Sequence, residues 1–234
     1  MYLITPGVRY EKLAQESFVL NEKGIAQWMF RDGLAEKALI EWCAETYGNT
    51  DKVFVDIGAH VGSYSWSLAS KFAHVHAFEP NREAYNALCA NSLLRGLSDR
   101  ITTHCLGLSY YSGRGAYYIR SADGGGNGFS FLGQDRDHSS PIRPTETRTL
   151  DSYNLDDIGF LKIDVEGHEI SVLEGARETL ERNNRPTFIF ESWDGQKGYI
   201  EQELREDLFL YIQNMGYKIV PIQGYPEMFI AEKV

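Results

Sequence analysis

Two hydrophobic periods alternate along this chain. The run "KVFVDIG" (52–58) is a nearly continuous apolar stretch, the pattern of a strand buried on both faces, and "HVHAFEP" (74–80), "RITTHCLG" (100–107), "IGFLKIDVEG" (158–167) and "PTFIFESW" (186–193) read as further strands. Between them apolar residues recur at helical spacing. From Asp32 to Tyr47 the rows Leu34, Ala38, Trp42 and Ala35, Leu39, Cys43 predict a covering helix, capped by Asp32 and stopped by Gly48. Further helices are predicted over Ser63 to Phe72, Asn81 to Leu94, Glu169 to Asn183 (burying Val172, Leu173, Ala176 and Leu180) and Tyr199 to Asn214 (burying Ile200, Leu204, Leu208 and Ile212). Strand and helix in alternation imply parallel βαβ units, an α/β fold with helices on both faces of the sheet. The tail "YKIVPIQGYPEMFIAEKV" reads as two strands about a Gly/Pro turn, a C-terminal antiparallel hairpin.

The rhythm changes between Leu108 and Thr147. "LSYYSGRGAYYIR" (108–120) predicts a hairpin turning at Ser112-Gly113, and the Gly-rich stretch from Ser121 is irregular, as substrate loops often are. The predicted organisation is a covering segment and helix over 1–50, then one domain over 51–234 with a Gly-rich insertion at about 108–147. At 234 residues, a second independent core would be cramped.

Charge narrows the partners. With 23 Lys+Arg against 33 Asp+Glu the net charge is −10, and no basic stripe is present to neutralise phosphates, so nucleic acid is disfavoured. The locally basic residues Arg136, Arg143 and Arg148 are diluted by acids; their reading is a solvated loop or contacts to a small anionic substrate. Three cysteines, Cys43, Cys89 and Cys105, show neither disulfide nor zinc spacing, which fits a reducing cytoplasm. No secretory signal or membrane span is expected, since no segment approaches ~20 apolar residues.

The chemistry gathers at strand ends. Asp56, Glu79, Asp164 and Glu191 fall at or near the carboxyl ends of four predicted parallel strands, where open sheets bind ligands. The turn Asp56-Ile57-Gly58-Ala59-His60-Val61-Gly62 has an acid where a dinucleotide fingerprint has its first glycine. Asp56 would repel a pyrophosphate and suit an amino group and a sulfonium. Glu79, roughly 20 residues on, is placed for ribose hydroxyls. Amine, sulfonium and ribose together describe S-adenosylmethionine better than a nicotinamide cofactor. The terminal hairpin points the same way, because Rossmann-like methyltransferases end in such an inserted antiparallel strand.

The segments "VDIGAHVGSYS", "VHAFEPN", "TLDSY", "FLKIDVEGHEISVLEGA" and "RPTFIFE" resemble the FkbM family of S-adenosylmethionine-dependent methyltransferases across roughly Lys52 to Trp193, above all in the K-x-D-x-E-G-x-E pattern. The resemblance implies a Rossmann-like class I methyltransferase fold with a mostly parallel seven-stranded sheet, and O-methylation, often of sugar or polyketide hydroxyls. It implies a cofactor site lined by Asp56, Gly58, Ala59, Gly62 and Glu79; His60, Ser63, Pro80, Asn81 and Gly107 join the expected set. Two departures stand out: His60 is often Asn in the family, and near Arg95 a second Asn after Asn91 is missing. No acid follows the third strand, which leaves the backbone of Cys105 to Gly107 to hold the adenine amine.

For catalysis, a hydroxyl acceptor needs a base, and the candidates are Asp164, Glu166, His168 and Glu191, with His168 first because its ordinary pKa is near ~6.5. Asp164 is expected to line the acceptor pocket or to pair with Lys162, which could instead face the other side. Asp164, Glu166 and Glu191 could also converge on Mg2+. Trp193, Asn127 and Ser130 are candidate acceptor contacts. The expected partner is a small-molecule or glycan hydroxyl acceptor, with a homodimer left open. The competing classes are an RNA methyltransferase, a nicotinamide-dependent oxidoreductase and a non-catalytic binding subunit of the same fold.

Overall fold

The computed structural model describes residues 33–118, 128–130, 142–192 and 205–234. The strands are β1 (Asn49–Ile57), β2 (Phe72–Phe78), β3 (Ile101–His104), β4 (Gly107–Leu108), β5 (Gly113–Tyr118), β6 (Gly128–Ser130), β7 (Ile142–Arg148), β8 (Ile158–Ile163), β9 (Thr187–Glu191), β10 (Tyr217–Ile222) and β11 (Tyr225–Lys233). The helices are α1 (Lys37–Tyr47), α2 (Ser63–Leu68), α3 (Arg82–Leu94), α4 (Glu169–Glu174), α5 (Arg177–Arg182) and α6 (Arg205–Asn214).

Seven strands form the main sheet in the order β10-β11-β9-β8-β1-β2-β3. Strands β3, β2, β1, β8 and β9 pair in parallel, and β11 is antiparallel to both β9 and β10. Both faces are covered, as the continuous apolar runs require. Within β1, Phe54 packs with α1 and α2 residues such as Cys43 and Leu68, while Val55 and Ile57 pack against Val172, Leu173 and Ile212 of α4 and α6. On the first face Tyr47 stacks on Phe160 at 4.6 Å between ring centroids, and Phe54 stands 5.7 Å from Phe160.

Several boundaries differ from the sequence expectation. Helix α1 begins at Lys37 after a left-handed Glu36, and Asp32 lies outside the described residues. Its buried face is Leu39, Ile40 and Cys43, with Trp42 exposed. Gly48 does not end the helix by a left-handed turn: its φ is −56°, and a Cβ there would collide with the Ala44 carbonyl. The predicted helix over 169–183 is two helices, broken at Gly175-Ala176. A side chain at Gly175 would strike the backbone of Ser109, and the break presents the start of α5 to Asp151, whose carboxylate accepts from Thr179 N (2.7 Å) and Glu178 N (3.3 Å). Val172, Leu173, Ala176 and Leu180 are all buried as expected. Of the last predicted helix, Leu208 and Ile212 are buried, and Ile200 and Leu204 lie outside the described residues.

The stretch after Leu108 is a small sheet of order β4-β7-β5-β6. The expected hairpin at Ser112-Gly113 does not form: β5 pairs antiparallel with β7 and β6, and β4 pairs parallel with β7. Polar β7, "IRPTETR", lacked the apolar pattern of a strand and read as loop. Among the described residues no helix is long and apolar enough to cross a membrane.

Adjoining ends of β2 and β3 carry a stacked histidine group. His76 Nδ1 lies 3.2 Å from His104 Nε2, and His104 stacks on Phe78 at 4.3 Å. Burial and neighbouring imidazoles push His76 down to about 4, and burial with His74 does the same to His104.

Two outcomes follow from these packings. Asp151→Ala removes the cap of α5 and should lower the unfolding free energy by about 1 kcal/mol, read as a lower urea midpoint at unchanged m. Because His76 and His104 bind protons more weakly when folded, their contribution is complete above the unfolded pKa of ~6.5 and is lost as pH falls towards 4. Replacing both by Gln should therefore flatten the decline of unfolding free energy between pH 6.5 and 4.

Candidate functional site

The site forms where β1, β2 and β8 end side by side. Strand β1 delivers Asp56 to a position with no solvent exposure, and the chain then turns through left-handed Gly58 (φ 75°), His60 (φ 52°) and Gly62 (φ 95°) into α2. Gly58 and Ala59 both donate backbone N–H bonds to Phe78 O (3.0 Å each), and Asp164 N donates to Ile57 O (3.1 Å). A Cβ on Gly58 would overlap the Asp164 carbonyl oxygen, so glycine is demanded by close approach of two strand ends. His60 takes a conformation that Asn and His tolerate better than most residues, so the departure from Asn leaves the loop backbone intact. Asn91 donates from Nδ2 to Val61 O (2.9 Å), and Arg95 bonds Asn91 (3.3 Å) while stacking over Trp66 at 4.3 Å. Both therefore brace the loop from α3.

Glu79 closes the turn from β2. Oε2 accepts from His60 N (2.8 Å) and Oε1 from Asn81 N (2.7 Å), and burial outweighs these bonds to push its carboxyl up to about 7. Each oxygen retains a second lone pair for a ligand hydroxyl. Asn81, expected as a ligand contact, caps α3 by accepting from Glu83 N (3.0 Å). Ala59 is buried in the core, and Ser63, half-buried, opens α2. The partner of Asp56 is instead Ser65, whose hydroxyl donates to Oδ2 at 2.5 Å; sequence reading passed over it, although it sits nine residues on in the first helical turns.

Asp56 does not open towards a ligand as the sequence suggested; it faces the Lys162 ammonium at 3.9 Å. Lys162, 4 % exposed, is the only Lys or Arg buried among the described residues. Its Nζ donates to Gly58 O and to Asp164 Oδ2, both at 2.9 Å, and lies 5.4 Å from the Tyr64 ring centroid. Lys162 and Asp164 thus face the same side, as residues two apart on a strand must. Desolvation alone would lower the lysine pKa; the carboxylates of Asp164, Asp56 and Glu36 overcome it and raise it. Asp56 itself is raised, chiefly by burial.

The rest of the K-x-D-x-E-G-x-E pattern shapes the mouth. Glu166 (φ 58°) and Gly167 (φ 91°) turn the chain, and Glu169 Oε1 accepts from Val165 N (3.0 Å) and Gly167 N (3.4 Å). The turn brings one carboxylate oxygen each of Asp164, Glu166 and Glu191 within 4.8 Å of one another. His168, first choice as base from the sequence, is not at the mouth. It is 7 % exposed, bonded through Nε2 to buried Ser109 Oγ (3.1 Å), and burial pushes it down to about 4. It docks α4 on the small sheet.

A cavity of about 490 Å³ adjoins this lip, walled by Pro80, Asn81, Arg82 and Cys105 on one side and by Arg114, Arg143 and Glu146 of the small sheet on the other. Gly107 is drawn into β4 opposite Thr147, so Cys105 is the residue of the 105–107 stretch that lines the cavity. Trp193 and Asn127 lie outside the described residues, and Ser130 is described only as part of β6.

A hexuronic acid methyltransferase, AglP, of Haloferax volcanii is 29 % identical over 160 residues, covering 67 % of this chain and 63 % of its own. A 2-O-methyltransferase, NoeI, of Sinorhizobium fredii is 29 % identical over 167 residues, covering 64 % and 66 %. The chain therefore spans just under two thirds of the length of these relatives. A solved methyltransferase FkbM from Methylobacillus flagellatus KT shares the fold with a TM-score of 0.54 at 21 % identity, over 78 % of this chain and 43 % of that one. The methyltransferase FkbM domain model matches residues 56–219, from the buried aspartate to the start of β10, and the chain belongs to that family.

Proposed function

We propose that the protein transfers the methyl group of S-adenosylmethionine to a hydroxyl of a sugar or related small-molecule or glycan acceptor. The observation that carries the reading is a charge imbalance. Around Lys162, the one buried ammonium among the described residues, stand Asp164 at 2.9 Å, Asp56 at 3.9 Å and, at longer range, Glu36, with Glu79 buried beside the same turn. Such a crevice favours a ligand that brings positive charge, and a sulfonium with an amino group does so. Glu79 keeps acceptor capacity for ribose hydroxyls. The relatives named for a hexuronic acid and for 2-O transfer support a sugar hydroxyl as acceptor. Three free cysteines are compatible with placement in a reducing cytoplasm.

Transfer needs the acceptor oxygen in line with the sulfonium methyl and relieved of its proton. Asp164 is the residue best placed for this work: Lys162 holds Oδ2, and the side chain is 27 % exposed at the mouth. Glu191 and Glu166 stand beside it. The three offer hard oxygen donors suited to Mg2+, which would lower the pKa of a coordinated hydroxyl.

Incubation with methyl-labelled S-adenosylmethionine against sugars, uronic acids, lipids, peptides and RNA, followed by mass analysis, tests the assignment. Label is expected on a sugar hydroxyl; label confined to RNA, or none on any hydroxyl by cofactor-loaded protein, would refute it. Asp164→Asn should lower kcat by about 100-fold or more while the affinity for S-adenosylhomocysteine changes little. The cation has its own test: activity should vanish with excess chelator and return with Mg2+, and undiminished turnover in chelator would remove the metal and leave Asp164 as the base alone.

A further inference from the structure

Glu36 precedes α1 and lies outside both the 56–219 family match and every motif read in the sequence. Its position is nonetheless that of a site residue. Tyr64 OH donates to Glu36 Oε2 at 2.8 Å, Tyr64 is buried on α2 directly after the Gly62 turn, and its ring faces the Lys162 ammonium. The carboxylate lies close enough to Lys162 and Asp164 to interact electrostatically with both. Burial, with the nearby Asp164, disfavours its charged form more than the Tyr64 hydroxyl and the Lys162 ammonium favour it, so an added positive charge would stabilise the Glu36 carboxylate. Asp56, which shares the Lys162 ammonium at 3.9 Å, has its Oδ1 buried with no hydrogen-bond partner among the described residues.

We infer that Glu36, presented over the Gly58–Gly62 turn by Tyr64, is a positioning and specificity residue for the charged portion of the cofactor, favouring the sulfonium form over the neutral thioether. The inference rests on the S-adenosylmethionine reading and assigns one carboxylate outside the family domain to it. A carboxylate that feels the sulfonium charge stabilises S-adenosylmethionine more than S-adenosylhomocysteine, although the two ligands share their adenosine and amino-acid parts. A residue that merely pins α1 to α2 affects both ligands alike.

Calorimetry on the full chain separates these cases. Glu36→Gln keeps the shape and an acceptor for Tyr64, so the fold should survive, as checked by thermal melting. Relative to the native protein, the ratio of Kd for S-adenosylmethionine to Kd for S-adenosylhomocysteine should rise by about fivefold or more, and Glu36→Asp should restore most of it. An unchanged ratio in Glu36→Gln, whether both affinities fall together or neither does, overturns the inference. Failure of the native protein to bind either ligand would instead overturn the cofactor assignment itself.

Discussion

The Lys162 ammonium is the interaction on which the rest of the structure depends. It joins two pieces of chain that are 104 residues apart in sequence: Asp56 and Gly58 at the end of β1, and its own strand β8 with Asp164 just beyond it. Removing it would leave buried carboxylates unpaired, a loss of about 3–5 kcal/mol for a buried pair broken on one side. The ammonium is kept charged by those same acids against a strong desolvation penalty. The pair of strand ends cannot slide either, because the Gly58 backbone already touches the Asp164 carbonyl. Electrostatics and packing thus define the same geometry at the floor of the crevice.

That geometry explains a division between the two acidic motifs. Glu79 is bonded by the backbone of the turn and of α3, so its orientation is set locally, and Asn91 and Arg95 stiffen the turn from the next helix. Asp164 is set through Lys162 and sits at a mouth whose curvature comes from left-handed Glu166 and Gly167, tied down by Glu169. The floor of the site is built from backbone atoms and buried charges. The outer wall of the adjoining cavity belongs to the small sheet, through Arg114, Arg143 and Glu146.

Apolar runs such as those of β1, β8 and β9, alternating with helical periods, made the parallel strands legible in the sequence, and the Gly/Pro turn in the tail made the inserted antiparallel strand legible. Both signals are local. What escaped depended on contacts between distant segments. The break in the helix at Gly175 arises from the Ser109 backbone 66 residues earlier in the chain, and no helical period records it. His168 looked like a base because its ordinary pKa fits, yet burial against Ser109 removes both its access and its basicity. Asp56 was read as facing a ligand cation, but the cation beside it is internal, a fact legible only once Lys162 is seen to point the same way. Glu36 carried no signal at all, since it enters the site through the hydroxyl of a tyrosine that reads as core. Strand β7 was lost because its residues are polar and its partners are other strands of an irregular sequence.

The proposed chemistry imposes a balance that this arrangement satisfies. A crevice that only stabilised a sulfonium would hold the ground state and slow its reaction, because the charge disappears as the methyl group leaves sulfur. In the proposed transfer the acceptor hydroxyl would supply the compensation: its proton would pass to the Asp164 carboxylate as the oxygen takes the methyl group from sulfur. One positive and one negative charge vanish together, and the net charge of the crevice is the same before and after. Acids packed around a single ammonium suit this exchange, since burial already raises Asp56, Glu79 and Glu36 and makes neutral carboxyls less costly there than in water. After transfer the thioether no longer meets that charge, so the field that draws the cofactor in weakens its hold on the spent product. Under the proposed function, attraction of the substrate cation and release of the neutral product would have the same physical origin, the excess of carboxylates over ammonium around Lys162.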